Sequence, residues 1–177
     1  MNLNKSILTI IIMLFSFLSY SQIDGNKVKM LSAKIEVSLP DNFYRMTQEA
    51  IDIKYPYNSN KPQEVYTDKL GEINFTASLR ENLPTEERHL PEVKKVLLKN
   101  IKTRGVSIVS DKFIKINNKV YILIEFISQG LDKKIYNMLY ASNLNGKLLI
   151  GNFNFPNNEY DKKYNEAKYA LNTLKIL

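Results

Sequence analysis

The 177-residue sequence contains no cysteine and only one histidine, His89. Without cysteine there can be no disulfide bond, no zinc–thiolate site and no thiol that bacterial lipoprotein processing could modify. A Ser-His-Asp triad would have to use His89, but the chain contains no Gly-x-Ser-x-Gly turn. We therefore predict no catalytic residue, no metal site and no cofactor, and we interpret His89 as a surface residue near the start of a helix.

Glycine is also scarce. The six glycines are scattered at turns and at the ends of elements, so no glycine-rich loop is available to bind phosphates. The sequence has no internal repeat, no low-complexity tract and no linker that would divide it. A chain of this length buries enough surface to fold without disulfide bonds, so we predict a single domain over residues 22–177.

The N-terminal segment has the order of a secretion signal. Lys5 precedes an apolar run from Ile7 to Leu18, and small residues follow at Ser19 and Ser21. The run is shorter than the roughly 18–20 apolar residues that a membrane-spanning helix needs. We predict that residues 1–21 are a cleaved signal peptide and that the protein is periplasmic or secreted, without a lipid or stable membrane anchor. An uncleaved anchor or a buried core helix is the alternative.

The charge is positive but dispersed. Removing Lys5 from the 25 basic residues leaves 24 against 18 acidic ones, a net charge of +6, and only four basic residues are arginine. The lysines are mixed with acidic residues along the chain, which is typical of a solvated surface. Nucleic-acid sites concentrate arginine and aromatic residues on one face, so we predict a protein or an envelope component as the partner and no nucleic acid.

Hydrophobic alternation predicts an α+β fold. Expected strands lie at Lys34–Leu39, Glu64–Thr67, Glu72–Arg80, Val106–Ile116, Val120–Ser128, Lys133–Ser142 and Lys147–Phe155. The face of the third strand that carries Asn74, Thr76, Ser78 and Arg80 is expected to be solvated. The strand Val120–Ser128 is apolar on both faces, so layers must cover the sheet from both sides.

Helical periodicity supplies those layers. Thr47 is expected to cap a short helix, and a longer helix is expected over Pro91–Arg104 with Val96 in its apolar stripe. Asn157 or Asn158 is expected to cap a long C-terminal helix. The predicted architecture is an α/β/α sandwich around a central, mainly antiparallel sheet of about six strands, with the C-terminal helix packed on one face.

Several strings of the sequence resemble the PsbP-like fold family, which is named for a photosystem subunit and shares its fold with a nuclear-import protein that binds the GTPase Ran. The matching strings are KIEVSLPDNF (Lys34–Phe43), Tyr55-Pro56, Lys61-Pro62, VYTD (Val65–Asp68), GEINFTAS (Gly71–Ser78), INNKVY (Ile116–Tyr121) and Leu174-Lys175-Ile176. The resemblance implies an accessory or binding protein rather than an enzyme. It transfers no functional residue to this chain.

Glu125 is the first candidate for a binding surface, because a carboxyl group inside an apolar strand needs a partner. If the turn near Gly130 pairs Ser128 with Lys133, Glu125 falls opposite Tyr136 and on the same face as Tyr140. We hypothesise that these residues line a small pocket or a patch that faces a partner. The alternative is a buried structural hydrogen bond, or a strand end that reaches solvent.

The second candidate surface is the loop Tyr55–Pro62 together with Tyr66. Tyrosines on a proline-stiffened loop offer contact area at low entropic cost, which suits recognition; alternatively, they fold the loop back onto the sheet. The sequence therefore favours an exported, non-enzymatic binding or accessory protein. The alternatives are a carboxylate-based enzyme that uses Glu125, and a chaperone-like or toxin-neutralising protein.

Overall fold

The computed structural model describes residues 25–57 and 61–177 and contains a seven-stranded antiparallel sheet. The predicted signal peptide, residues 1–21, lies outside this range. In spatial order the strands of the large sheet are β3 (Tyr44–Arg45), β4 (Glu64–Thr67), β5 (Asn74–Pro84), β9 (Lys147–Pro156), β8 (Lys134–Leu144), β7 (Lys119–Gln129) and β6 (Ser107–Ile116). These are the six central strands expected from the sequence plus the two-residue β3.

Tight turns explain why β6 to β9 form a meander. Asn117 and Asn118 have φ of 47° and 63° between β6 and β7, and Asn145 and Gly146 have φ of 49° and 77° between β8 and β9. Asparagine and glycine tolerate positive φ, and such turns match the natural twist of a hairpin.

A second sheet of three strands packs on the first. It consists of β1 (Gly25–Met30), β2 (Ile35–Pro40) and β10 (Lys175–Ile176), with β2 in the centre. The sequence predicted β2, whose inward residues Ile35, Val37 and Leu39 are fully buried. It did not predict β1 or β10, because GNKVKM is mostly polar and β10 has only two residues.

Three α-helices complete the described chain: α1 (Gln48–Lys54), α2 (Leu90–Lys102) and α3 (Tyr160–Thr173). The Thr47 hydroxyl accepts a hydrogen bond from the Ala50 amide at 3.3 Å, which confirms the predicted cap of α1. The expected asparagine cap of α3 is wrong. Residues Asn157–Glu159 form a 3₁₀ turn, and the N-cap residue of α3 is Glu159, which makes no side-chain capping bond.

The two faces of the large sheet have different covers, which defines an α3 face and an α2 face. On the α3 face, helix α3 and the small sheet bury an aromatic-rich core that includes Phe75 and Phe153. On the α2 face, helix α2 buries a smaller cluster that includes Ile122 and Ile124. Val96 was expected in the apolar stripe of this helix, but it is 57% exposed and does not belong to the cluster.

Candidate functional site

Glu125 lies on the α3 face and is only 3% exposed. Its carboxyl group accepts hydrogen bonds from the Tyr136 hydroxyl at 2.5 Å and the Ser110 hydroxyl at 3.1 Å, and the Lys112 ammonium lies 3.4 Å away. The residue directly opposite Glu125 is Met138 and not Tyr136, because the β7–β8 loop pairs Gln129 with Lys134 rather than Ser128 with Lys133. Tyr136 reaches Glu125 diagonally instead.

Aromatic rings surround Tyr136, the hydrogen-bond partner of Glu125. The Tyr136 ring lies 5.3 Å from that of Phe155 and 4.9 Å from that of Tyr160, and Tyr160 stacks on Tyr164 at 4.9 Å. Burial and the hydrogen bond to Glu125 raise the pKa of Tyr136, so its hydroxyl stays a proton donor at neutral pH. The cluster therefore satisfies a buried carboxyl group inside the fold.

The other candidate tyrosines lie apart from this cluster. Tyr140 is fully buried, and its hydroxyl donates to the carbonyl oxygen of Thr76 at 2.8 Å. Tyr66 is partly buried against the core of the α3 face. Tyr55 is half-buried on the α2 side, and Tyr57 is 76% exposed. The structure thus brings Glu125 and Tyr136 together and separates both from Tyr55 and Tyr57.

Tyrosine burial predicts a loss of stability at alkaline pH. Burial raises the pKa of Tyr55 and Tyr121 to about 12 and also raises the pKa values of Tyr136 and Tyr140. A raised pKa in the folded state means that the unfolded chain ionises first, so stability is intact below about pH 10 and falls as the pH rises toward 12. Urea titrations between pH 8 and 11.5 should show the free energy of unfolding declining by up to ~1.4 kcal/mol per pH unit for each tyrosine. A Tyr121→Phe variant should show a shallower decline; an equal slope would contradict the assignment.

The polar half of the α2 face contains a row of aligned side chains. The strand registers pair Phe126 with Asn137, Asn137 with Asn154, and Asn154 with Asn74, so three amides lie side by side across β8, β9 and β5. The Asn74 amide donates to Asn154 Oδ1 at 3.0 Å. Lys54 of α1 donates to Asn74 Oδ1 at 2.8 Å and fixes the end of the row.

Asn152 begins a second row next to the first. Its amide nitrogen donates to Asn137 Oδ1 at 2.9 Å, and the Asn137 amide donates to Ser128 Oγ at 3.0 Å. The Thr76 hydroxyl oxygen accepts from the backbone amide of Asn152 at 3.0 Å. Asn152 Oδ1 is shielded from solvent and accepts no hydrogen bond among the described residues. Among the buried side-chain atoms of this network, Asn152 Oδ1 is therefore the one without a hydrogen-bond partner in the described chain.

Asn137, Asn152 and Asn154 of these rows line a groove of about 590 Å³. Helix α2 contributes Leu97 and Asn100 to its lining, and the segment after α1 contributes Tyr55. Its charged lining residues among the described positions are Arg80 and Arg104, and no acidic residue lines it. We call this feature the amide groove. Its volume lies within the range of small-molecule sites.

The amide groove overturns one expectation from the sequence. Asn74, Thr76 and Ser78 were expected on a solvated face, but they are 2%, 7% and 3% exposed. The reason is tertiary: α2 and the segment that carries Tyr55 approach this face from other parts of the chain. A signal was available in the sequence, because asparagine occupies alternate positions of Gly151-Asn152-Phe153-Asn154 and interrupts the apolar strand at Asn137.

A smaller cavity of about 280 Å³ includes two acidic residues, Glu64 and Glu81. Glu64 Oε1 lies 3.3 Å from Arg45 and accepts a hydrogen bond from the Leu31 amide at 3.1 Å. Glu81 pairs with Lys147 at 2.7 Å. Both carboxylates are therefore engaged in structural contacts.

Neither a cluster of metal-binding side chains nor a membrane-spanning helix is found among the described residues. Within residues 25–57 and 61–177, no group of three or more His, Cys, Asp or Glu side chains is arranged to hold a metal ion. Over the same ranges, no helix combines the length and apolar character that are required to cross a bilayer.

Comparison with solved structures shows a PsbP/Mog1-like α+β fold. Cyanobacterial PsbP (CyanoP) from Synechocystis sp. PCC 6803 matches with a TM-score of 0.63 and 11% identity, over 90% of this chain and 96% of that one. The Ran-binding protein Mog1p of Saccharomyces cerevisiae matches with 0.56 and 10%, over 88% and 96%. LpqN, involved in cell envelope biogenesis of Mycobacterium tuberculosis, matches with 0.56 and 10%, over 92% and 96%.

These matches confirm the fold that the sequence strings suggested. At identities of 10–11% they show the fold alone, because one fold supports many functions. No family model and no curated protein sequence matches the chain.

Proposed function

We propose that this protein is an exported, non-enzymatic binding or accessory module whose partner is a protein or an envelope component. The observation that carries the proposal is the amide groove, a concave surface of about 590 Å³ whose two charged lining residues, Arg80 and Arg104, are both positive. Tyr55 lines the groove, and Tyr57, two residues further along the chain, is 76% exposed and available for contact with a partner.

The relatives in fold support this class of function by analogy. Mog1p is a Ran-binding protein, and LpqN is involved in cell envelope biogenesis. A scaffold that binds a protein in one case and acts at the envelope in another is compatible with an accessory role here. The signal-like segment at residues 1–21 supports export.

The surroundings of Glu125 favour a structural role over general acid or base catalysis. Its oxygens are already bonded to Tyr136 and Ser110, and it does not line the amide groove. A general base must reach the proton of a bound substrate, and this carboxyl group is only 3% exposed. We therefore assign Glu125 to the stability of the fold.

An affinity capture from an envelope extract of the native host tests the proposal, with the protein as bait and mass spectrometry as readout. We expect one stoichiometric partner, whose recovery falls at least about tenfold when Tyr55 and Tyr57 are both replaced by alanine. Tyr44→Ala is the matched control, because Tyr44 is an exposed tyrosine on β3 outside the groove. Folded bait that captures nothing, or a partner that the double variant retains, would count against the proposal.

A further inference from the structure

Both charged residues that line the amide groove are positive. Arg80 and Arg104 line it, and none of its lining residues in the described chain is acidic. Arg80 has no ion-pair partner among residues 25–57 and 61–177. A guanidinium group offers a planar fork of donors that matches a carboxylate, so the groove is complementary to an anion.

The remaining lining identifies the kind of anion. Amide side chains both donate and accept hydrogen bonds, and so do the hydroxyl groups of a sugar. The groove provides such groups at Asn100, Gln129 and Asn154.

Apolar surface lies beside the polar groups. Phe126 and Tyr55 are half-buried in the lining, together with Leu97 and Ile150. Aromatic and aliphatic side chains next to amides suit a ligand with alternating C–H and O–H faces. The volume of about 590 Å³ is sufficient for more than one small ring.

From this juxtaposition we propose that the amide groove binds an acidic saccharide, with Arg80 on its carboxylate and the amides on its hydroxyl groups. The proposal rests on the proposed binding function and names the class of envelope component that the groove accepts. A short acidic peptide has the carboxylate but lacks the ring of hydroxyl groups, so it serves as the competing ligand in the test.

Calorimetric titration of the protein, recovered from a host that expresses the full chain, tests the proposal with digalacturonate as the ligand. Cellobiose is the neutral disaccharide and diglutamate is the acidic peptide. We expect digalacturonate to bind at least about tenfold more tightly than cellobiose, because a charge-assisted hydrogen bond contributes that much. It should also bind more tightly than diglutamate, because only the saccharide brings hydroxyl groups to the amides. Equal binding of cellobiose, or tighter binding of diglutamate, would overturn the proposal.

Two substitutions locate the binding. Arg80→Gln should weaken digalacturonate binding about tenfold or more, whereas Arg88→Gln, at an exposed arginine paired with Glu86 outside the groove, should leave it unchanged. Asn154→Asp keeps the oxygen that accepts from Asn74 but adds a negative charge to the groove, so it should weaken the acid and not cellobiose. Unchanged affinity in folded Arg80→Gln and Asn154→Asp variants would refute the site.

The two proposals fail separately. If none of the three ligands binds at 10 mM (about the weakest affinity that such a titration detects), the saccharide proposal is wrong. The binding-module proposal then still depends on the capture experiment with the Tyr55 and Tyr57 variants.

Discussion

Replacing Gly151 by alanine is expected to lower the free energy of unfolding by about 3 kcal/mol or more. Tyr140 extends beneath β9 so that its hydroxyl can donate to the carbonyl oxygen of Thr76 at 2.8 Å. A Cβ atom at position 151 would overlap both that carbonyl oxygen and the phenol ring of Tyr140. One of the colliding atoms belongs to the backbone of β5, so no side-chain rotation can relieve the overlap.

Gly105→Ala provides the matched control for this prediction. Gly105 has φ of +66°, and no atom lies within 4 Å of the added Cβ. The change there is limited to the cost of a left-handed conformation for alanine, about 1–2 kcal/mol. Urea denaturation of both variants would measure the difference, and an equal cost for the two would show that Gly151 is not sterically required.

The second large effect is expected from a matched pair of tyrosines. Tyr136→Phe removes the hydroxyl that donates to Glu125 at 2.5 Å, and it should cost about 1.5–3 kcal/mol because a buried carboxyl group loses its shortest hydrogen bond. Tyr121→Phe removes a buried hydroxyl that has no partner in the described chain, so it should leave stability unchanged or raise it by up to ~1 kcal/mol.

The same denaturation experiment measures both tyrosine variants. Because each removes one oxygen atom from a buried ring, loss of volume alone predicts similar effects. Equal destabilisation by the two substitutions would show that the hydrogen bond to Glu125 does not control the stability of the core.

Glu125 shows which features of its surroundings could be predicted from the local sequence and which could not. The sequence left two interpretations of Glu125 open, a pocket or patch shared with tyrosines and a buried structural hydrogen bond, and the structure contains such a bond, donated by Tyr136. The register was wrong by two residues, since Gly130–Lys133 forms the loop and its Gly130 amide bonds to the Lys133 carbonyl at 2.8 Å. Loop length depends on such bonds, which hydrophobic alternation does not encode.

The sequence by itself determined the elements whose signals are local. Alternation specified β2 through Ile35, Val37 and Leu39, and the Asn145-Gly146 pair specified a hairpin because both residues tolerate positive φ. Only the tertiary structure decided the amide groove. Its residues come from four strands, α2 and the Tyr55 segment. A polar strand face is predicted to be solvated from its sequence alone, because the distant parts of the chain that cover it are not visible in the local pattern. Burial of Asn74 and Asn137 is a property of that assembly, because hydrogen bonds between neighbouring strands replace the water that each amide would otherwise bind.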